Sequence, residues 1–124
     1  MKTNHPITFR HHYYKLDHPE FTTIRGKAQF KRLQVGQTVT CQCPHATFDA
    51  IITKLEAKCV CQMTIAFLKA DAEYPGCTLS THQQFVNLLN SFRAPYWAQV
   101  SLESELTIIT LTKTTACNKP ASTP

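Results

Sequence analysis

Two histidines and two tyrosines follow one another near the start of the chain. The run is Arg10-His11-His12-Tyr13-Tyr14. Aromatic rings beside a cation can stack on unpaired bases, which would make Tyr13 or Tyr14 a stacking residue for single-stranded RNA. Paired histidines titrate near neutral pH, so His11 or His12 could instead act as general acid or base in phosphodiester cleavage. If the run is extended, alternation would instead bury one histidine and one tyrosine in the core.

The positive charge of the chain is concentrated in its first third. The 124 residues include 13 Lys or Arg and eight Asp or Glu, which gives a net charge of +5. Residues 1–36 contain seven basic and two acidic side chains, whereas residues 37–124 contain six of each. Such one-sided charge indicates an anionic partner, most commonly nucleic acid, although a merely solvated basic face would have the same composition.

Four of these cations lie at or just after one predicted strand. Residues 21–25 are rich in β-branched and aromatic side chains and are typical of a strand. At its end, Arg25 could place its planar fork of donors on a phosphate or a base edge, or form a surface ion pair. Lys27, Lys31 and Arg32 follow within one loop or helical turn. They would add phosphate contacts that weaken as salt rises, or form a solvated face.

Two close pairs of cysteines raise the question of a metal site. The pairs are Cys41-Gln42-Cys43 and Cys59-Val60-Cys61. Structural zinc sites usually separate paired ligands by two to four residues, so one intervening residue argues against zinc. Alternation from residue 38 to 43 places both sulfurs of the first pair on the buried face of a strand, where a free cysteine packs as a small apolar side chain. We expect no metal, with redox chemistry as the remaining alternative to packing.

Other classes of protein are excluded by what the sequence lacks. Three glycines cannot build the Gly-rich loop that cradles dinucleotides or nucleotide phosphates, so we expect no cofactor. No apolar stretch approaches the roughly 18 residues of a membrane span, and the first residues lead into no signal-peptide core. We therefore expect a cytoplasmic protein with reduced thiols and no membrane partner.

The elements that must position these residues are mostly short strands. Predicted strands cover residues 7–9, 21–25, 38–43, 47–55 and 106–111, the last apolar on both alternations and therefore central. A helix should follow the capping box from Ser80 to Gln83, with an apolar stripe from Phe85 to Phe92, while residues 59–70 fit either a helix or a strand. This pattern predicts an α+β fold, a small mixed β-barrel or half-barrel with two or three short helices.

The order of three segments resembles the ASCH domain, a branch of the PUA-like superfamily. The segments are Ile7-Thr8-Phe9, Phe21-Thr22-Thr23-Ile24-Arg25 and Val35-Gly36-Gln37-Thr38-Val39. The likeness spans residues 6–113 in the order of elements, which implies one ASCH/PUA-like domain over residues 1–113 and a flexible tail over 114–124. The family motif is Gly-x-Lys-x-x-Glu/Thr-x-Arg. Thr23 and Arg25 match it, whereas His18 and Glu20 stand at its glycine and lysine positions.

The resemblance also implies a candidate activity. Its nearest defined relatives are small bacterial amidohydrolases that deacetylate N4-acetylcytidine with the motif's lysine, its threonine and a downstream glutamate. Carried over, Thr23 would be the nucleophile, Glu20 a base and Glu73 the downstream glutamate. A threonine hydroxyl needs an activating base or cation, and the motif lysine is absent here.

We therefore expect an RNA-binding module with a basic cleft for single-stranded or modified RNA. Its predicted contacts are Arg10, His11, Tyr13, Tyr14, Arg25, Lys27, Lys31 and Arg32. One alternative is a hydrolase in the same cleft, either the amidohydrolase that uses Thr23 with Glu20 or Glu73, or a ribonuclease that uses His11 or His12. The other is a protein-interaction domain whose basic face meets an acidic partner.

Overall fold

The β-branched and aromatic segments of the sequence form a five-stranded sheet. The computed structural model describes residues 6–9, 11, 13–27, 29–44, 46–93 and 100–114. The strands are β1 (Ile7–Thr8), β2 (Glu20–Arg25), β3 (Thr38–Cys43), β4 (Ala46–Cys59) and β5 (Glu105–Lys113); the α-helices within the described ranges are α1 (Gln29–Arg32), α2 (Ile65–Ala72) and α3 (His82–Arg93). Single 3₁₀ turns cover Tyr14–Asp17 and Val60–Gln62. Predictions for Arg10, His12 and the tail from residue 115 onwards lie outside the described residues.

The sheet is mixed, and it curls. Its strand order is β1-β3-β4-β5-β2, with β1 parallel to β3 and every other neighbouring pair antiparallel. Arg25, on the edge strand β2, donates from Nη2 to the carbonyl oxygen of Thr8 on the opposite edge strand, at 3.1 Å. Because the two edges come within reach of one side chain, the sheet forms a half-barrel. The predicted α+β class with a curled mixed sheet is confirmed.

Both faces of the sheet are covered. The concave face carries one apolar cluster, to which β5 contributes Ile109 and Leu111. The convex face carries a second cluster, in which Leu106 and Ile108 pack with side chains of α2 and α3. The prediction that this apolar run is a central strand is therefore confirmed, since its alternate residues are buried on opposite sides.

The cysteine-bearing hairpin also forms as predicted. Strands β3 and β4 pair antiparallel, with Cys41 opposite Phe48. Cys41 is fully buried beside Val39 in the concave cluster, and Cys43 is packed against the same cluster. β4 runs beyond the predicted residue 55 to Cys59, and its register with β5 shifts between Ile52 and Lys54.

The helical predictions need two adjustments. The ambiguous segment 59–70 divides into the end of β4, a 3₁₀ turn and α2, whose first turn is capped by Thr64 Oγ1 accepting from the Phe67 amide at 3.0 Å. The cap of α3 lies one residue later than predicted, because Thr81 Oγ1 accepts from the Gln84 amide and the Gln84 side chain accepts from the Thr81 amide. None of the described helices is long and apolar enough to cross a membrane.

Candidate functional site

A basic cavity opens where the two edges of the half-barrel meet. Its volume is about 210 Å³, and its lining residues are Pro6, Ile7, Arg25, Gln29, Arg32, Leu33 and Ile109. Among these described residues there are two guanidinium groups and one amide but no carboxylate. The cavity can therefore hold an anion of roughly phosphate size between groups that bind phosphate in a planar, two-pronged geometry.

The local sequence explains why α1 covers this cavity. β2 ends at Arg25, and the carbonyl oxygen of the following Gly26 accepts from Thr107 Oγ1 at 2.9 Å and from the Gln29 amide at 3.1 Å. The chain turns there into α1, and the buried Leu33 anchors the residues after the helix in the concave cluster. This anchoring places Gln29 and Arg32 at the cavity wall.

Arg25 is held in place by three contacts. Its Nε donates to Thr23 Oγ1 at 3.1 Å, its Nη2 donates to the Thr8 carbonyl oxygen, and its guanidinium carbon lies 5.0 Å from the centroid of the Phe9 ring. An arginine fixed on both a hydroxyl and an aromatic face loses less rotamer freedom when a ligand binds. Arg25 therefore occupies a wall of the basic cavity in a defined orientation.

Three cations follow Arg25 in the chain, and one of them, Arg32, lines the cavity. Lys27, Lys31 and Arg32 are exposed, and none of them makes an ion pair with a described acidic residue. The sequence has no Asp or Glu between residues 21 and 48. Phe30 stands among these cations and is 43% exposed. We call Lys27, Phe30, Lys31 and Arg32 the α1 surface; sequence analysis identified its cations but missed Phe30, whose position between two lysines was the available signal.

A second concavity, the outer pocket, lies between β2, the first 3₁₀ turn and α2. Its volume is about 440 Å³, and its lining includes Tyr14, Lys15, His18, Glu20, Thr22, Phe67, Lys69 and Glu73. It contains carboxylates as well as cations and an exposed tyrosine. The residues that the sequence placed in one cleft are thus divided between two sites, since the cations of the α1 surface follow β2 whereas Tyr14 precedes β2 and lines the outer pocket.

A buried ion pair stands at the wall of the outer pocket. Lys15 Nζ donates to Asp71 Oδ1 at 3.2 Å, and the two side chains are 7% and 6% exposed. Thr22 Oγ1 donates to the same carboxylate oxygen at 2.9 Å. Burial lowers the pKa of Lys15, the attraction of Asp71 offsets part of this effect, and the positive charge of Arg25 lowers the pKa further. The Thr22 hydroxyl and the Lys15 amine therefore both contact the Asp71 carboxylate, and this amine gives up its proton more readily than that of a free lysine.

Thr23 is separated from the other two residues of the predicted catalytic group, Glu20 and Glu73, which both line the outer pocket. Thr23 is buried, and its hydroxyl accepts from Arg25 on the concave side, whereas Glu20 lines the outer pocket. Glu73 Oε2 accepts from Lys69 Nζ at 2.8 Å and from the Leu79 amide at 2.7 Å, and these bonds lower the pKa of Glu73. Successive residues of a strand face opposite sides, so Thr22, not Thr23, faces the outer pocket.

The aromatic run is divided in a similar way. Tyr13 is 8% exposed and packs edge-on against Phe9 and Tyr74, so the packing alternative holds for Tyr13 and a base cannot reach its face. Tyr14 is 53% exposed at the outer pocket. His11 stacks on Tyr74 with a centroid distance of 3.8 Å and an interplanar angle of 5°. Neither Tyr14 nor His11 therefore joins the basic cavity.

Metal binding has no support in the described residues, among which no three His, Cys, Asp or Glu side chains cluster as a metal site. Metal binding requires thiolates, and burial raises the pKa of Cys41 to about 12. Burial also raises the pKa of Cys43. The structure thus favours the packing role of the first cysteine pair.

The burial of Cys41 gives a labelling prediction. At pH 8 we expect an aromatic disulfide reagent to modify the exposed Cys61 rapidly and Cys41 only after unfolding, because burial shields Cys41 from the reagent and raises its pKa, and the thiolate is the reacting species. Mass spectrometry of peptides taken at successive times measures both rates, with urea-unfolded protein as the control. Equal rates for the two cysteines in the folded protein would show that the interior of the half-barrel is open to solvent.

The protein is thus an α+β half-barrel with a cavity of roughly phosphate size where its edge strands β1 and β2 approach each other. A protein of Methanocaldococcus jannaschii, named Uncharacterized protein MJ0364, is 44% identical to the chain over 107 residues, which is 85% of the chain and 92% of the relative. The chain belongs to the same family as this protein. No family model matches the chain, and no solved structure matches it.

Proposed function

We propose that the protein is an ASCH-type, PUA-like module that binds single-stranded or modified RNA through the basic cavity and the α1 surface. The observation that carries the proposal is the convergence of Arg25 and Arg32 on a cavity without a described carboxylate. Lys27 and Lys31, on either side of the cavity residue Gln29 in the sequence, add exposed positive charge. Phosphates are bound by this combination of a fixed guanidinium fork and mobile lysines, and the lysines make contacts that do not depend on sequence.

The test is the salt dependence of binding to single-stranded RNA. We expect fluorescence anisotropy to show binding of a labelled 12-nucleotide RNA, with log Kd rising linearly with log salt by about 0.7 for each phosphate contact. Duplex RNA of the same sequence and an acidic peptide are the comparisons. No binding to the single strand at low salt, or tighter binding to the acidic peptide, would reject the RNA proposal, and the second result would favour a protein partner.

A second candidate, a hydrolase acting on an acylated nucleoside, is favoured by the outer pocket. Thr22 and Lys15 line this pocket, and both donate to Asp71 Oδ1, at 2.9 and 3.2 Å. Thr22 Oγ1 would attack the acyl carbon as its proton passes to Asp71, and Lys15 would donate a proton to the departing amine. Water would then hydrolyse the acyl-threonine and release the acid. The lowered pKa of Lys15 suits a proton donor.

Two neighbouring threonines provide a matched test of this candidate. With N4-acetylcytidine as the probe, we expect Thr22→Val to reduce acetate release by at least about 100-fold, and Thr23→Val to retain most of it. Chromatography of cytidine against the acetylated nucleoside measures the rate. Absence of turnover by the unmodified protein, or equal losses in the two variants, would exclude Thr22 as the nucleophile.

A further inference from the structure

We propose that Phe30 is a stacking platform for an unpaired base, so that the α1 surface binds the base of a nucleotide whose phosphate occupies the basic cavity. This inference rests on the proposed function and specifies its ligand as RNA with accessible bases. It assigns the stacking role to a residue outside the aromatic run near the start of the chain.

The first argument is the placement of the ring. Phe30 is 43% exposed although α1 is anchored on the concave cluster by the buried Leu33. The Phe30 amide donates to the Lys27 carbonyl oxygen at 3.2 Å, which places these two residues one helical turn apart. Lys31 follows directly in the chain. An exposed ring with a cation on either side offers a π-face to a base and positive charge to the adjoining phosphates.

The second argument is the distribution of exposed apolar side chains over neighbouring elements. The described residues expose five large apolar side chains, and three of them, Phe30, Val35 and Ile51, lie on α1, the turn after it and the strand against which α1 packs. Hydrogen bonds between the turn and β4 hold this arrangement, since the Gly36 amide donates to the Ile52 carbonyl oxygen at 2.7 Å. Phe30 is the one aromatic ring of the three.

The third argument is charge, which selects the partner. The region that carries the α1 surface has no acidic residue from position 21 to 48. An apolar partner surface alone would leave Lys27, Lys31 and Arg32 without counter-charge, whereas single-stranded RNA supplies a planar apolar base and an anion in every nucleotide. The surface therefore suits a nucleotide strand with unstacked bases better than a neutral protein.

The experiment compares two oligomers that differ only in their bases. One is a 12-nucleotide oligouridylate, and the other has the same backbone with abasic sites at its central positions. We expect the unmodified protein to bind the base-bearing oligomer more tightly, and Phe30→Ala to weaken that binding by about 5- to 100-fold while leaving the abasic oligomer unaffected. Phe30→Trp should restore the difference. The salt slope of Phe30→Ala should equal that of the unmodified protein, because no charge is removed.

Val35→Ala and Tyr14→Ala are the matched controls, since Val35 is 62% exposed in the turn after α1 and Tyr14 is exposed at the outer pocket. Neither should change the preference for base-bearing RNA. If Val35→Ala weakens RNA binding as much as Phe30→Ala, these side chains make a general apolar contact with the RNA and the stacking inference is wrong. If Tyr14→Ala alone removes the preference, stacking occurs at the outer pocket. Equal binding of both oligomers by the unmodified protein overturns stacking but keeps RNA binding, whereas binding of neither overturns the proposed function itself.

Discussion

Replacing Asp71 with Asn should lower the free energy of unfolding by about 3–5 kcal/mol, the usual loss when one partner of a buried ion pair is removed. Lys15 would keep its buried amine without the carboxylate that it contacts at 3.2 Å. The carboxamide can still accept from Thr22, so the loss would come mainly from the uncompensated charge. Urea unfolding at pH 7, followed by circular dichroism, measures the effect.

Glu56→Gln is the control for this prediction. Glu56 pairs with Lys54 at 3.7 Å and with Lys58 at 3.9 Å, and both lysines are exposed. Ion pairs of this kind contribute at most about 1 kcal/mol each, so the control should lose much less stability than Asp71→Asn. Similar losses in the two variants would mean that the Lys15–Asp71 pair is hydrated in solution.

The same pair predicts a pH dependence of stability. Burial lowers the pKa of Lys15 from its ordinary value of 10.5, so on the alkaline side the folded protein binds fewer protons than the unfolded chain. The contribution of Lys15 to stability should therefore rise with pH up to 10.5. The raised pKa of Cys41 acts in the opposite direction but is common to the protein and its Lys15→Met variant. From pH 8 to 10.5 we expect the free energy of unfolding of the unmodified protein to rise relative to that of Lys15→Met. A difference between the two proteins that does not change with pH would contradict the lowered pKa of Lys15.

Removal of Lys27 and Lys31 together should have the largest effect on RNA affinity. We expect Lys27→Ala/Lys31→Ala to weaken binding by about 10- to 100-fold near 0.1 M salt and to reduce the slope of log Kd against log salt by about 1.4, because two phosphate contacts are lost. Both side chains are exposed and unpaired among the described residues, so folding should be preserved. Anisotropy titrations at several salt concentrations measure both quantities.

A control variant at a second pair of lysines distinguishes the effect of local phosphate contacts from the effect of net charge. Lys54→Ala/Lys58→Ala removes the same charge from β4, where both side chains already pair with Glu56. We expect this variant to lose little affinity and to keep the original salt slope. If the two double variants behave alike, RNA is attracted by the overall charge and the α1 surface is not its site.

Much of the sheet could be predicted because local patterns determine it. Alternation in residues 38–43 identified a strand with its cysteines inward, and the two-sided apolar run at 106–111 identified the central position of β5. The basic cavity was anticipated through Arg25, because a cation at the end of a strand before a glycine is a local signal. Charge asymmetry likewise located the exposed lysines of the α1 surface.

What could not be predicted depends on contacts between distant parts of the chain. Lys15 and Asp71 are 56 positions apart, and their pairing follows from the packing of α2 against β2. Alternation separates Thr22 from Thr23, but the direction in which the sheet curls decides which of them faces the outer pocket. Alternation allowed one tyrosine of the aromatic run to be buried, but that it is Tyr13 depends on Phe9 and Tyr74, which pack against its ring.

The approach of the two edge strands of the half-barrel means that ligand binding would also affect the rigidity of the fold. Within the described residues, β1 and β2 are the two ends of the strand order, and Arg25 reaches from one to the other. Residues of β1, β2 and α1 line the basic cavity. An anion bound there would connect these elements, although no backbone hydrogen bonds pair the described residues of β1 with those of β2. A bound anion would then restrain the motion of β1 relative to β2, and the protein would be most rigid with its ligand bound.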